Sequence, residues 1–401
     1  MKKHSVDWRI SVVVLVLLSF VLGTSEFIVI GILPNIADGL HTDLTVVGSL
    51  VSVFAGSYAI GTPIIAALTS RINKFRLMMA FMTVFLLGNL ASTLATNVAV
   101  MYISRIAVAV VSGPILSVSM IFAKELVPSA YIAQVMSYIF SGFSIASVLG
   151  VPIGTVLTQM FSYRAAFVFI ILSIVVLMVA LACVLPKSDS VPCEEGTNLL
   201  QQFVILKDGK ISLCIGMILC SLAGTYVVYT YFTPILQDVM GFSASRVSVI
   251  LLLFGLCSIA SNLLSGKVGE QNGLKKLPVV YLLQIVVFGV MLFVLHLPIP
   301  GLIALFAMGV LMYVYNTSAQ LHFLNVTEQE YPYAKHFASS LLPMSSNIGI
   351  AVGSLCGSLI QKNMGFSILP LFALAFEVLA LICVLVLNRK MAQTSTVASH
   401  T

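Results

Sequence analysis

Two charged side chains stand where hydrocarbon is expected. Glu26 occurs in "GTSEFIVIGILPNIADGL", residues 23–40, at the end of a long apolar run, and Arg105 occurs in "MYISRIAVAVVSGPILSVS". A charge at bilayer depth costs a few kcal/mol, so it persists only where it faces water, a cavity or a partner. Glu26 lies seventeen residues beyond Arg9, and a helix rising about 1.5 Å per residue puts it roughly 25 Å from that boundary. Two chemistries fit it: an acid that exchanges a proton as its exposure alternates, or a carboxyl fixed in an interhelical hydrogen bond. Arg105 cannot be neutralised. It either pairs with Glu26, the nearest acid by topology, or clamps backbone carbonyls.

Weaker candidates surround these two. Tyr226, Tyr229 and Thr230 share one helical face, as do Tyr313, Asn316 and Gln320, and both sets suit contact with a small ligand. Tyrosine also anchors at membrane interfaces, so lining a pore is one of two readings. Gly142, Gly150, Pro152 and Gly154 fall within one apolar run, and Gly349, Gly353 and Gly357 within another. Small residues every four positions let helices pack closely, and either rocking or packing alone accounts for them. Glu377, in "FALAFEVLALICV", is a second acid near mid-membrane, better read as an interhelical hydrogen bond than as part of transport.

The catalytic motifs of soluble enzymes are missing: no Gly-x4-Gly-Lys, no His-Glu-x-x-His, no Gly-x-Ser-x-Gly, and no Gly-x-Gly-x-x-Gly after a strand. The seven cysteines include no Cys-x-x-Cys, and all but Cys193 lie in apolar segments. Neither a disulfide framework nor a metal site is expected. The sequence calls for no cofactor and no enzymatic activity.

Of the 401 residues 59% are hydrophobic and 8% charged, with a mean hydropathy of +1.09. About 237 apolar residues, at roughly 20 per crossing, allow on the order of twelve spans. Runs bounded by charge, Pro or Gly place them near 10–36, 45–69, 77–96, 98–122, 132–158 and 165–185, then 211–236, 247–266, 277–297, 301–324, 337–360 and 367–387. The basic N-terminal head and "ISVVVLVLLSFVL" resemble a secretory signal, but further apolar segments follow, so the run is read as the first span.

"PKSDSVPCEEGTNLLQQFVILKDGK", residues 186–210, is the longest polar stretch and reads as a linker with a short amphipathic helix at 198–206. It divides an N-terminal six-helix bundle, 1–185, from a C-terminal one, 211–390, followed by a tail at 391–401. The halves echo each other at an offset of about 200 residues. "GTSEFIVIGILP" from Gly23 answers "GTYVVYTYFTP" from Gly224, and "AALTSRINKFR" at 66–76 answers "GKVGEQNGLKK" at 266–276. Such duplicated halves form a transporter architecture with the binding site between them.

The net charge of +6 is read against the membrane rather than as a sign of nucleic acid binding. With the N-terminus inside, only Arg164, Arg246 and Lys362 fall in outer loops and Arg105 in a span. Every other one of the twenty Lys and Arg residues falls inside. Both termini are therefore expected in the cytoplasm.

Together these stretches resemble the major facilitator superfamily, and within it the twelve-span drug:proton antiporters, especially the arabinose-efflux-permease-like bacterial exporters. "GTSEFIVIGILPNIA", "SRINKFR", "SRIAVAVVSG", "VLGVPIGT" and "YRAAF" carry the likeness over nearly the whole chain. The resemblance implies an all-α membrane protein of twelve transmembrane helices in two pseudo-symmetric six-helix bundles, working by alternating access. It implies a protonation site on span 1, at Glu26, coupled to the span 4 arginine, Arg105. The small residues of span 5, Gly150, Pro152 and Gly154, are gating candidates by their spacing alone, and the loop after span 2 carries the family's gating motif. That loop keeps Arg71 and Lys74 but has Ala66, Ser70 and Asn73 where Gly, Asp and Gly are usual. The second copy keeps Gly266, Glu270, Gly273 and Lys275, so an acidic gate is expected on that side.

The leading expectation is proton-coupled export of a small polar or amphipathic compound, such as a drug, sugar, nucleoside or secreted metabolite, by a monomer in the bacterial inner membrane. Its partners are then the substrate, protons and lipid, without nucleic acid. An uptake symporter of the same fold is the alternative, and a transporter-like membrane receptor is the alternative of another class.

The charge asymmetry predicts that Cys193 is cytoplasmic. In a variant keeping that cysteine alone, a membrane-impermeant thiol reagent added to intact cells should leave it unlabelled. Labelling from outside would reverse the topology.

Overall fold

The computed structural model describes residues 7–69, 72–128, 131–186, 203–269, 273–331 and 335–398. Among them there is no strand, and twelve helices or helix pairs are long and apolar enough to cross a membrane. In order they are α1 (Trp8–Gly39), α2 (Leu44–Thr69), α3 (Lys74–Leu94), α4 (Val98–Leu126), α5 (Ile132–Met160), α6 (Tyr163–Val184), α7 (Gly209–Tyr229), α8 (Ala244–Gly269), α9 (Gly273–Val294), α10 (Pro298–Leu311), α11 (Asn316–Glu330), α12 (Lys335–Met364) and α13 (Leu369–Ala398). Helices α10 and α11 make one interrupted span. The linker's described part is a 3-10 turn, Phe203–Lys207; the rest of the helix expected at 198–206 lies outside the described residues.

Helix ends follow local chemistry. Asn73 caps α3 by accepting from the amides of Phe75 and Arg76, and Asn97 caps α4 by accepting from Val100. Asp208 caps α7, accepting from the amides of Lys210 at 2.6 Å and Ile211 at 3.2 Å and, on its other oxygen, from the Tyr331 hydroxyl at 3.2 Å. Partial burial alone would raise its carboxyl, but these bonds and the Lys210 charge hold it below the usual aspartate value. The stability this cap contributes is thus complete at neutral pH and is lost as the pH falls through that lowered value.

The chain forms two compact units, residues 1–194 with 244–252, and 195–243 with 253–401. Within the first, α1 packs most extensively on α5 and also on α6, while α3 packs on α4 and α6. Within the second, α7 packs on α12 and α13, while α9 packs on α10 and α13. The same pairings therefore recur at the same places in the repeat. Glycine makes the closest of them possible. A Cβ on Gly150 would lie 3.0 Å from Thr24 Cα across the α1–α5 seam, and one on Gly353 would run into the backbone of Ala223 on α7. In a bilayer, where apolar burial between helices contributes little, such close backbone approach is a main source of cohesion.

The first span of each unit is also distorted before its repeated proline. In α1, Ile32 leaves helical geometry at φ −114° and ψ 15°, two residues ahead of Pro34. In the second unit α7 ends at Tyr229, the chain turns at Thr230 and Tyr231, and a short Phe232–Pro234 segment leads into a π turn, Ile235–Val239. A proline has no N–H to offer the carbonyl four residues back, so a bend there is expected.

The glycine seams give a paired prediction. Gly353→Val should cost on the order of 1–3 kcal/mol of stability through overpacking. Gly266→Ala, where a Cβ meets nothing within 4 Å, should be neutral or stabilise by up to about 1 kcal/mol. Thermal unfolding of both purified variants in one detergent checks this ordering.

Candidate functional site

Arg105 is buried at 1% exposure in the first unit. Its Nη2 donates to the Ser25 carbonyl oxygen at 2.6 Å and its Nη1 reaches the Ser25 hydroxyl at 3.4 Å. That hydroxyl donates in turn to Asn89 Oδ1 at 3.1 Å, and the Asn89 amide donates to the Phe85 carbonyl at 2.8 Å. The guanidinium carbon lies 4.5 Å from the centre of the Phe54 ring and 5.9 Å from that of Phe167. Residues from α1, α2, α3 and α6 thus surround one cation presented by α4. The planar guanidinium is suited to this, since it donates in its plane while its faces rest on aromatic rings. One turn before Arg105 in the same helix, Met101 supports a second polar link: Ser104 donates to its carbonyl and shares a 2.7 Å hydrogen bond with Ser92 of α3.

Glu26 follows Ser25 directly, yet it forms no ion pair with Arg105 and has no hydrogen-bond partner among the described residues. It is half-buried, whereas the residues on both sides of it are buried. Of the two readings of Arg105, the structure shows the carbonyl clamp. The arginine holds the peptide that carries Glu26 and leaves the carboxyl unengaged. Sequence reasoning brought the right two helices together and left both readings open, because a backbone carbonyl has no signature of its own in the sequence.

The aromatic set of the second unit is packed internally. Tyr226 meets Tyr229 edge-on at 5.2 Å, and Tyr229 stacks on Phe254 at 5.2 Å. Thr230 donates back to the Tyr226 carbonyl at 2.7 Å and shares a 2.8 Å bond with Ser354 of α12. Tyr226, Tyr229 and Thr230 are all buried. Tyr313, Asn316 and Gln320 are half-buried. They do not lie on one continuous helix face, because residues 312–315 form a turn between α10 and α11. Side chains of α8 sustain that interruption: Ser261 accepts from the Tyr313 amide at 2.8 Å and Ser265 from the Thr317 amide at 2.7 Å. Asn316 bonds to Asn262 at 3.1 Å. The serines take amides that a continuous helix would have paired with carbonyls four residues back. The spacing of Ser258, Ser261, Asn262 and Ser265 was the available signal for this seam.

Of the gating candidates, Lys74 forms an ion pair with Glu125, linking the start of α3 to the end of α4. Both partners are partly exposed, so the pair contributes less than about 1 kcal/mol. Gly150 and Gly154 face α1, with Ile28 filling the space where a Gly154 Cβ would go, and Pro152 is buried within α5. Gly273 is buried against Ser318 of α11, and Lys275 is exposed. Arg71 and Glu270, with Ser70, lie outside the described residues, as does Cys193.

Glu377 is fully buried on α13, with no hydrogen-bond partner for either carboxyl oxygen among the described residues. Ser221 of α7 lies beside it across the α7–α13 contact, where the expected interhelical hydrogen bond would form. Among the described residues no group of three or more His, Cys, Asp or Glu could hold a metal ion.

Comparison with known proteins agrees with this geometry. The family model described as Major Facilitator Superfamily matches residues 15–332. The chain is 31% identical over 349 residues to YtbD, an uncharacterised MFS-type transporter of Bacillus subtilis, covering 86% of this chain and 87% of that protein. It is 27% identical over 354 residues to YfhI, another uncharacterised MFS-type transporter of the same organism, covering 88% and 87%. Among solved structures, a bacterial homologue of the human lysosomal transporter Spinster, inward-facing and unoccupied, superposes with a TM-score of 0.74 at 16% identity over 98% of both chains. The same homologue in an inward-facing and occupied conformation gives 0.75 at 15% identity over 96% of this chain and 98% of that one. At that identity the likeness concerns the fold.

Proposed function

The chain belongs to the major facilitator superfamily of multi-pass membrane transporters, and from that premise we propose that it is a proton-coupled exporter of a small polar or amphipathic compound. The observation that carries this reading is Glu26: an acid on the first span, half-buried and unpartnered, beside a buried cation whose hydrogen bonds are committed to the neighbouring peptide. An acid already engaged in an ion pair would have to break that pair to take up a proton. Glu26 need only change its surroundings, because loss of water favours its neutral form and the fixed positive charge of Arg105 favours its ionised form. Alternating access supplies such a change.

Coupling then follows from competition. Substrate favours the ionised acid and a proton expels substrate, so each lowers the affinity for the other. On this reading the chain is a transporter rather than an enzyme, needs no cofactor, and exchanges drug-like, sugar, nucleoside or other secreted molecules against protons. It sits as a monomer in the bacterial cytoplasmic membrane with both termini inside, and its halves are residues 1–185 and 211–390, joined by the linker 186–210. Tyr313, Asn316 and Gln320, half-buried around the α10–α11 interruption, are the substrate contacts that geometry favours. Tyr226, Tyr229 and Thr230 support them from behind. Lys74, Gly150, Pro152, Gly154, Gly273 and Lys275, with Arg71 and Glu270, form the gates.

Direction is tested in proteoliposomes, with ethidium, lactose and uridine as one probe from each class. An antiporter accumulates its probe when the lumen is acidic, whichever way the protein is inserted, and a symporter when the outside is acidic. The proposal expects accumulation of at least one probe in acid-inside vesicles, reduced by Glu26→Gln to the level of protein-free liposomes. Accumulation only in acid-outside vesicles would make the protein an importer, and undiminished accumulation by Glu26→Gln would remove that residue from coupling.

A further inference from the structure

Away from the helix ends, each unit has one acid deep within a span among the described residues: Glu26 in the first and Glu377 in the second. Glu377 is entirely shielded, with 0% exposure. It lies at the α7–α13 contact, where a Cβ on Gly224 would be 3.2 Å from its Oε1. Ser221 of α7 is beside it, and the hydroxyls of Tyr281 on α9 and Tyr315 in the α10–α11 interruption are close enough to interact with it electrostatically. Gln284 is buried one turn along α9 from Tyr281. The side-chain polar atoms of Ser221, Tyr281, Gln284 and Tyr315 share its condition: buried, with no hydrogen-bond partner of acceptable geometry among the described residues.

The ionisable groups that face Glu377 are Cys220 from α7, Tyr281 from α9 and Tyr315 from the interruption, with Cys214 beside the two tyrosines and Cys383 of α13 against Cys220. Among the described residues no Lys, Arg or His acts on Glu377. An isolated carboxylate in such a place would cost several kcal/mol or more, far beyond what a neutral carboxylic acid costs. The carboxyl is therefore protonated in this conformation.

Its neighbours are also matched to the state without the proton. Ser221, Tyr281 and Tyr315 each carry a hydroxyl hydrogen that a carboxylate can accept, and Gln284, one turn from Tyr281, adds an amide NH2 to the same buried region. Two of the spans that supply donors are interrupted, α7 at Thr230 and Tyr231 and the α10–α11 span at Tyr315 itself, and broken helices within a membrane are where ions are bound and water enters.

We propose that Glu377 is a proton-binding site of the second unit, holding its proton in this conformation and releasing it when the α7 and α10–α11 interruptions admit water. Release breaks the carboxyl O–H bond, leaves the electron pair on the carboxylate, and passes the proton to that water. The site does not depend on Glu26 carrying a proton or on the direction of transport.

The test is infrared spectroscopy of the full-length protein in lipid nanodiscs on a Glu26→Gln background, which removes the acid deep within the first span. The spectrum of Glu26→Gln minus that of Glu26→Gln/Glu377→Gln isolates the Glu377 carboxylic-acid C=O band. The band should be present at mildly acid pH and lose more than about half its intensity as the pH is raised to alkaline values, with carboxylate bands growing in its place. Where the double variant does not fold, wild type minus Glu377→Gln gives the same difference. A band that persists unchanged to alkaline pH would make Glu377 a permanently neutral packing residue. A band absent at every pH would make it ionised, and one that vanishes at fixed pH when sodium chloride replaces choline chloride would make the site one for a metal cation. Each of these three results would overturn the proposal.

Discussion

A guanidinium cannot shed its charge, and in the first unit one is buried to 1% exposure among apolar helices. That constraint organises its surroundings. Arg105 needs acceptors, and the nearest adequate one is a backbone carbonyl on another helix, at Ser25. Holding it brings α4 against α1, draws Asn89 of α3 in behind the Ser25 hydroxyl, and sets the Phe54 and Phe167 rings against the cation's faces. Hydrogen bonds to charged groups contribute about 1.5–3 kcal/mol each, more than the small apolar gains available between helices in lipid. The position of Glu26 follows from the same bond, since its own peptide nitrogen is joined to the carbonyl that Arg105 holds.

The second unit reuses the frame without the cation. Spans 1 and 7 share a Gly-Thr start and a proline eleven or ten residues on, and each is distorted ahead of that proline. Each also meets a glycine-bearing partner, α5 or α12, at backbone distance. Tyr226 and Val227 stand in α7 where Ser25 and Glu26 stand in α1. The acid of this unit is on its last span instead, and hydroxyls rather than a cation surround it. Duplicated scaffolds have thus been given different polar cores, one built on a fixed positive charge and one on neutral donors.

Much of this was legible in the sequence because it is written in quantities that survive without tertiary context. Apolar runs long enough to cross a bilayer gave the spans, and the Gly23 and Gly224 stretches revealed the duplication. Glu26 and Arg105 were conspicuous because charge is costly where they lie. What stayed hidden depended on partners elsewhere in the chain. Residues 311–316, "LMYVYN", contain no Pro or Gly, and their interruption rests on Ser261 and Ser265 reaching across from α8. Tyr229 and Thr230 look from the sequence alone like ligand contacts, whereas in the fold Phe254 stacks on the Tyr229 ring and Ser354 shares a hydrogen bond with Thr230. The Arg105 acceptor was a main-chain atom, and every residue has one.

If Arg105 holds the Ser25 peptide and acts on the Glu26 carboxyl only at a distance through its charge, rather than as its ion-pair partner, the two side chains are weakly coupled in stability. A double-mutant cycle of wild type, Arg105→Met, Glu26→Gln and the double variant, unfolded in one detergent at neutral pH, measures their coupling directly. The carbonyl clamp predicts a coupling below about 1 kcal/mol, with nearly all the loss arising from Arg105→Met. A coupling of about 3 kcal/mol or more, the size expected for breaking a buried ion pair, would contradict it.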